Sequence, residues 1–201
     1  MPIFSVTIAV FNKEKHIAQT LEAVLAQTFT DFEVIIVNDG STDGSEAVIK
    51  SFDDARIHYF TQKNQGAAAG RNAAIKKASA PYIALLDADD LWEPTYLEVI
   101  HNTIAENPEE KVFSTAVAIE TRGNTIKSKY SIENLQQNKT YRVDYFEVSS
   151  LNTVLTSSST VLHKSVLGEV GMYDTSIKSG QDTDLWIRIG LKYKIIFINT
   201  Y

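Results

Sequence analysis

Short apolar runs alternate with segments of helical spacing over the first half of the chain. Runs rich in Val, Ile, Phe and Tyr are typical of buried strands, and apolar residues three to four positions apart indicate amphipathic helices. The predicted strands are Ile3 to Val10, Phe32 to Val37, Ile57 to Phe60 and Tyr82 to Leu86. The predicted helices are Lys13 to Gln27, Ser45 to Phe52, Ala67 to Ala78, and a segment between Pro94 and Pro108. Because parallel strands need crossover connections, this alternation predicts an α/β fold with a mostly parallel central sheet and helices on both faces.

The pattern becomes irregular after Pro108, which indicates a smaller region of mixed strands and helices. Strands are predicted at Lys111 to Glu120, after a turn at Arg122 to Asn124 running toward Tyr130, and at Ser157 to Leu162. Helices are predicted at Lys164 to Val170 and Asp182 to Leu191, and the polar segment Ser131 to Lys139 is typical of a mobile loop. The last residues, from Lys194, resemble a buried strand, so we expect the natural chain to continue beyond Tyr201.

Composition and charge narrow the class of protein. With 201 residues, 44% of them hydrophobic, the chain is long enough to bury the core of one domain. The absence of cysteine excludes thiolate metal sites and a cysteine nucleophile, and it suits a reducing compartment. A net charge of -6 argues against nucleic-acid binding, and the basic run Lys13-Glu14-Lys15 is interpreted as a solvated helix face.

The N-terminus has neither a secretory signal nor an apolar run of the roughly 20 residues that cross a bilayer. We therefore expect a cytoplasmic location without a transmembrane segment, and peripheral contact with the inner face of the membrane remains an open alternative.

Polar residues directly follow three of the predicted strands. These are Phe11-Asn12, Asn38-Asp39-Gly40-Ser41 and Asp87-Ala88-Asp89-Asp90. Ligands of open α/β sheets bind beyond the carboxyl ends of the strands. The three segments therefore predict a binding site at that edge of the sheet.

The segment Asp87 to Asp90 has three acids in four positions. Carboxylates this close repel one another unless a cation or hydrogen bonds compensate them. Mg²⁺ and Mn²⁺ prefer oxygen ligands and commonly bind through one or two carboxylates plus substrate phosphates. A plain acidic turn is the alternative. A calcium loop is excluded because Trp92 stands where such a loop needs glycine.

Two further segments have both a structural and a functional interpretation. Asn38 to Gly44 is either a turn capping the second helix or a site where Asp39 accepts hydrogen bonds from a nucleobase or ribose. Arg71 lies near a predicted helix start, where it either faces solvent or approaches a phosphate.

The segment from Ser179 to Arg188 offers two acids at a helix start. Asp182 is explained locally as the third helical residue after a Ser179 cap, and Asp184 as the i,i+4 partner of Arg188. The functional alternative is that one of the two carboxylates is a general base beside an acceptor hydroxyl, with Trp186 as a platform for a sugar ring.

Five segments in this order resemble family 2 glycosyltransferases of the GT-A fold. They are Ser5 to Asn12, Val37 to Asp43, Gly70-Arg71-Asn72, Leu86 to Asp90, and Gln181 to Trp186. Two positions depart from the family pattern: Ala9-Val10 replaces a frequent Pro-Thr, and Gln181 replaces a frequent Glu. The resemblance covers nearly the whole chain and implies residues 1–110 as a nucleotide-sugar-binding half and 111–201 as the acceptor-side half of the same catalytic domain.

The resemblance also implies the roles of individual residues. Asp89 would ligate Mn²⁺ or Mg²⁺, Asp182 would be the catalytic base, and Trp186 would lie on the acceptor side. The residues around the nucleotide would be Ala9, Phe11, Asp39, Arg71, Asp87 and Ala88. Asp184 stays open as an alternative base.

The implied reaction moves a sugar from a nucleotide diphosphate sugar, with UDP as the expected carrier, to a hydroxyl of a glycan, lipid-linked or other acceptor. It would be a metal-assisted single displacement with inversion, in cell-surface polysaccharide or glycan synthesis. One rival, a nucleotidyltransferase, needs a glycine-rich basic loop after the first strand, where this chain has Asn12 to Lys15. The other rival is a non-catalytic or incomplete nucleotide-sugar-binding module of a larger polymerase.

Overall fold

The computed structural model describes residues 1–121 and 123–201. Within these residues, eight strands form the central sheet in the order β3-β2-β1-β4-β9-β5-β10-β8. The parallel part consists of β1 (Phe4–Val10), β2 (Phe32–Asn38), β3 (Ile57–Thr61) and β4 (Tyr82–Asp87). The remaining strands are β5 (Val112–Thr115), β8 (Thr140–Val143), β9 (Thr160–His163) and β10 (Ile195–Ile198). A separate two-stranded sheet consists of β6 (Ala118–Thr121) and β7 (Asn124–Lys127).

The helices are α1 (Ile17–Leu25), α2 (Ser45–Lys50), α3 (Ala67–Lys77), α4 (Tyr96–Glu106), α5 (Tyr145–Val148), α6 (Lys164–Val170) and α7 (Gln181–Gly190). They cover the sheet from both sides, which confirms the predicted fold class. None of the helices in the described part of the chain has the length and apolar character that crossing a bilayer requires.

Two apolar clusters explain why the sheet is buried on both faces. In β1, Phe4, Val6 and Ile8 are fully buried on one side, where α1 and α4 pack. In β4, alternate residues divide between the two sides, with Leu86 in the first cluster and Leu85 in the second. Because successive side chains of a strand point to opposite faces, a parallel strand covered by helices on both sides has a continuous apolar run.

The second half of the chain completes the sheet by antiparallel pairing. β9 lies between β4 and β5 and runs antiparallel to both, and β10 is parallel to β5 and antiparallel to β8. The sheet thus combines strands from residues 1–110 and 111–201. The assignment of nucleotide-sugar binding to the first part and acceptor binding to the second stays a prediction.

Some predicted elements differ from the structure. The predicted strand Lys111 to Glu120 is two strands, because β5 ends at Thr115 and β6 begins a separate hairpin at Ala118. The hairpin itself was predicted; Thr121 pairs with Asn124, and Arg122 of the predicted turn lies outside the described residues. The predicted helix at Lys13 begins only at Ile17, and the predicted strand at Ser157 begins at Thr160. β8 and α5 were not predicted, since only some of their residues are buried.

Candidate functional site

A cavity of about 320 Å³ lies at the carboxyl ends of the parallel strands, as the polar strand ends predicted. Its lining combines residues from four separate segments of the chain. They include all the residues predicted around the nucleotide and the metal: Ala9, Phe11, Asp39, Arg71, Asp87, Ala88 and Asp89. Lys13, Asn64 and Gly66 also belong to the lining.

Arg71 reaches this cavity because α3 packs close to β1 and β2. The preceding residue, Gly70, is buried, and a β-carbon at its position would lie 3.2 Å from Ala9 Cβ and 3.5 Å from Asp39 Cβ. The contact with Ala9 is tighter than ordinary packing, so a larger side chain here would require α3 or β1 to shift by a few tenths of an ångström. A glycine here lets α3 lie close to the strands at the position next to Arg71.

Asp39 is 2% exposed, and its carboxylate orders the segment that follows β3. It accepts hydrogen bonds from Gln62 Nε2 at 2.7 Å, from the backbone N–H of Gln65 at 3.0 Å and from the backbone N–H of Gly66 at 2.9 Å. A carboxylate has about four acceptor positions, so three donors leave room for one more. Asp39 can thus hold the cavity wall and still accept one hydrogen bond from a ligand.

Asp87 and Arg71 form a half-buried ion pair inside the cavity. Arg71 Nη2 donates to Asp87 Oδ1 at 2.6 Å, and the guanidinium lies 5.5 Å from the centre of the Tyr173 ring. Burial raises the pKa of Asp87, and the neighbouring Arg71 opposes this without cancelling it. Burial lowers the pKa of Arg71, but its neighbours Asp87, Tyr173 and Asp182 together outweigh burial, so the pKa of Arg71 is raised.

Asp89 faces the cavity with its side chain 40% exposed and pairs with Lys13, whose Nζ lies 2.5 Å from Asp89 Oδ2. Lys13 was interpreted as part of a solvated helix face, and this interpretation is wrong. Lys13 lies before α1 and lines the cavity, because it follows the carboxyl end of β1, as Phe11 does. The sequence could have indicated this, since Lys13 is only two residues from Phe11, which was predicted to lie near the nucleotide.

A second cavity, of about 280 Å³, adjoins the first through Asp87, which lines both. Its wall combines Asp182 and Trp186 of α7 with hydroxyl-bearing side chains. These are Tyr145, Thr153, Thr156, Ser157 and Thr183. Trp186 is only 3% exposed, because it packs in the core and meets the Tyr173 ring edge to face. It therefore contributes part of the cavity wall rather than an exposed platform.

The prediction that Ser179 caps the helix of Asp182 is wrong. The residue that precedes the first turn of α7 is Gly180, with a φ of +83°, and no side chain caps this helix. Asp182 Oδ1 instead accepts a hydrogen bond from Ser157 Oγ at 3.0 Å and lies 3.7 Å from Arg71 Nη1. The predicted pair of Asp184 and Arg188 is present, with Nη2 and Oδ2 2.7 Å apart.

Arg71, which lines the first cavity, therefore lies between Asp87, which lines both cavities, and Asp182, which lines the second. The sequence did not predict the residues that connect these acids. Ser157 and Ser158, in the turn before β9, contact Asp182 and Asp90 respectively. A run of five consecutive hydroxyl residues, from Thr156 to Thr160, was visible in the sequence, but nothing local indicated which acids it would meet.

The sequence profile described as Glycosyl transferase family 2 matches residues 5–171. This chain belongs to that family. It is 36% identical over 186 residues to an uncharacterised glycosyltransferase of Rickettsia bellii, and the match covers 92% of this chain and 26% of the relative. The chain therefore spans only about a quarter of the length of that relative.

Two solved structures have the same fold. The crystal structure of S. aureus TarS 1-349 in complex with UDP-GlcNAc has a TM-score of 0.79 at 21% identity and covers 99% of this chain and 56% of the solved chain. The mannosyltransferase PcManGT from Pyrobaculum calidifontis, in complex with GDP-Man and Mn2+, has a TM-score of 0.71 at 17% identity and covers 98% and 55%. At these identities the likeness shows the fold alone.

Proposed function

We propose that this chain is the donor-binding and catalytic part of an inverting glycosyltransferase that moves a sugar from a nucleotide diphosphate sugar to an acceptor hydroxyl. The observation that carries the proposal is the pair of adjoining cavities that share Asp87. A nucleotide in the first cavity would present its diphosphate and sugar toward the second, where Asp182 lies. Donor and acceptor would then meet where the two cavities adjoin, at Asp87 and beside Asp182.

The first cavity suits a nucleotide. Phe11 is 45% exposed at its rim and offers a ring on which a base can stack, and Asp39 retains one acceptor position for a base N–H. Lys13 and Arg71 supply cations for the diphosphate. UDP is the carrier we propose, following the family resemblance. The two solved structures are complexes with UDP-GlcNAc and GDP-Man, and these are therefore the donors to test.

The acidic residues of the site suit a metal ion that takes its remaining ligands from the substrate and from water. Among the described residues, no three His, Cys, Asp or Glu side chains are grouped so as to enclose an ion. Mg²⁺ and Mn²⁺ do not need such a cage, since they commonly bind through one or two carboxylates plus substrate phosphates and water. Asp89 offers one exposed carboxylate at the cavity wall. An ion held there would offset the charge that develops on the leaving diphosphate.

Asp182 would act on the acceptor. Its carboxylate takes the proton of the acceptor hydroxyl as the hydroxyl oxygen forms a bond to the anomeric carbon of the sugar. The bond from that carbon to the diphosphate oxygen breaks, and the electron pair leaves with the nucleotide diphosphate. A single displacement from the opposite face inverts the anomeric configuration. A positioned general base of this kind contributes roughly a hundred- to ten-thousandfold in rate.

The test uses two donor probes, UDP-N-acetylglucosamine and GDP-mannose, each with and without Mn²⁺. Calorimetry measures binding, and release of nucleotide diphosphate measures transfer to water in the absence of an added acceptor. We expect Mn²⁺-dependent binding of one probe together with slow release. Binding without release would instead favour a nucleotide-sugar-binding module of a larger protein, and failure of both probes and of free UDP to bind would overturn the donor site.

A further inference from the structure

The turn formed by Thr156 to Ser159, directly before β9, contacts both acidic segments of the site. Ser158 Oγ donates to Asp90 Oδ2 and accepts from the backbone N–H of Asp87 at 3.1 Å. The backbone carbonyl of Ser158 also accepts from Trp92 Nε1 at 2.6 Å. Ser158 thereby fixes the turn against the segment that follows β4.

The neighbouring serine reaches the other acid. Ser157 is only 6% exposed, and its Oγ donates to Asp182 Oδ1 at 3.0 Å. Consecutive residues of one short turn therefore hold the donor-side acidic segment and the candidate base. The separation between those two acids depends on this turn as well as on the sheet.

The two oxygens of Asp182 have different surroundings. Oδ1 accepts the Ser157 hydrogen bond and is the oxygen nearest Arg71 Nη1, at 3.7 Å. In the described part of the chain, no hydrogen bond ends on Oδ2. The carboxylate lines the second cavity with its side chain 40% exposed. The oxygen without a hydrogen bond is thus the one available to a ligand.

Helix α7 provides little to orient this side chain. Asp182 lies in the first turn, its helix has no side-chain cap, and the preceding Gly180 has a left-handed backbone conformation. The 3.7 Å separation from Arg71 is too long for a hydrogen bond. The Ser157 hydroxyl is therefore the direct hydrogen-bond donor that selects the orientation of the carboxylate.

We propose that Ser157 is a positioning residue that holds Asp182 by Oδ1, so that Oδ2 is the oxygen that takes the acceptor proton. This inference rests on the proposed function. In the transfer step, the proton of the acceptor hydroxyl moves to Oδ2, while Ser157 keeps its own proton and its hydrogen bond to Oδ1. Ser157 touches neither the sugar nor the reacting oxygen in this scheme.

The first test separates orientation of the base from donor binding. With the donor probe from which the wild type releases nucleotide, Ser157→Ala should lower kcat roughly 10- to 100-fold, because a small displacement of a catalytic group reduces the rate strongly. The donor Kd measured by calorimetry should remain within twofold. Ser157→Thr, which keeps the hydroxyl, should recover most of the lost kcat.

Ser159→Ala is the matched control. Ser159 lies in the same turn and is 1% exposed, and its hydroxyl meets Thr156 and Ser114 rather than an acid. Thermal melting shows whether each variant folds. Equal losses of kcat in Ser157→Ala and Ser159→Ala, or a Ser157→Ala variant that keeps its kcat, would overturn the proposal.

The second test does not depend on turnover. Crystal structures of the donor-free wild type, Ser157→Ala and Ser159→Ala should place the Asp182 carboxylate in the same position in the wild type and the control, and in a different or unordered position in Ser157→Ala alone. An unchanged carboxylate in Ser157→Ala contradicts the proposal. If the wild type releases nucleotide from neither probe, the proposed function fails while the crystal structures still decide the role of Ser157.

Discussion

Arg71 Nη2 donates to Asp87 Oδ1 at 2.6 Å, which ties the first half of α3 to the end of β4. The other terminal nitrogen of the same guanidinium lies 3.7 Å from Asp182. One cation therefore compensates two carboxylates that come from residues far apart in the sequence. A planar guanidinium with several donors suits this arrangement better than an ammonium, which acts as a point charge.

The first prediction concerns Arg71→Lys. A lysine keeps the charge, but it cannot reach both carboxylates from one rigid fork, so donor affinity and kcat should each fall by about tenfold or more. Calorimetry with the donor probe and nucleotide release measure the two quantities. Lys76→Ala, which removes an exposed charge from the same helix, serves as the control and should change neither. Wild-type values in Arg71→Lys would show that the bridge is dispensable.

The second prediction distinguishes the two candidate bases. Asp182→Asn should leave the donor Kd unchanged and lower kcat at least about a hundredfold, because the amide cannot accept the acceptor proton. Asp184→Asn should mainly destabilise the fold, since Asp184 holds Arg188, whose guanidinium also donates to the carbonyls of Val170 and Met172. Thermal melting and nucleotide release on both variants separate the effects. If folded Asp184→Asn lost its turnover while Asp182→Asn kept it, Asp184 would be the base.

The third prediction concerns the metal. Asp89→Ala should abolish the Mn²⁺ dependence of donor binding, because the exposed carboxylate it removes is the proposed protein ligand. Titration of the donor probe with and without Mn²⁺ gives the comparison. Asp90→Asn is the control, since an amide oxygen can still accept from Ser158. Unchanged Mn²⁺-dependent heats in Asp89→Ala would contradict the assignment.

The fourth prediction follows from the pair of Lys13 and Asp89. In the absence of nucleotide, an ion must displace the Lys13 ammonium to reach the Asp89 carboxylate. Lys13→Met should therefore raise the Mn²⁺ affinity of the nucleotide-free protein by about two- to fivefold, the range expected for an exposed ion pair. Lys15→Met removes an exposed charge two residues away and should leave this affinity unchanged. A weaker Mn²⁺ affinity in Lys13→Met would show that Lys13 and the ion do not compete for the Asp89 carboxylate.

The fifth prediction concerns pH and stability, away from the site. Hydrogen bonds from Arg56 lower the pKa of Asp54 to about 2. A carboxyl whose pKa falls on folding stabilises the protein above its unfolded value and loses that contribution as pH falls through the folded value. Asp54→Asn should therefore reduce the free energy of unfolding by about 1–2 kcal/mol at pH 7, and the difference should shrink below about pH 3. Chemical denaturation at pH 7 and below about pH 3 measures the free energy of unfolding. Asp53→Asn, which changes an exposed neighbouring residue, is the comparison.

The parallel half of the fold could be predicted because its strands are short runs rich in apolar residues that alternate with segments of helical spacing. In β2, all residues from Phe32 to Asn38 are buried, and the pattern alone identified the strand to within one residue. The second half was harder for the opposite reason. β8 has a single buried residue, Val143, and β5 and β6 belong to different sheets although no Gly or Pro separates them in the sequence.

The sequence by itself determined the α/β class, the family, and the acids that follow the strands, because strand ends of a parallel sheet meet at one edge whatever the details of packing. Only the tertiary structure decided which residues connect those acids. Arg71 between Asp87 and Asp182, Lys13 against Asp89, and Ser157 on one oxygen of Asp182 are contacts between distant segments. They depend on how close α3 approaches β1 and on where the turn before β9 lies, and short-range patterns in the sequence contain no record of either distance.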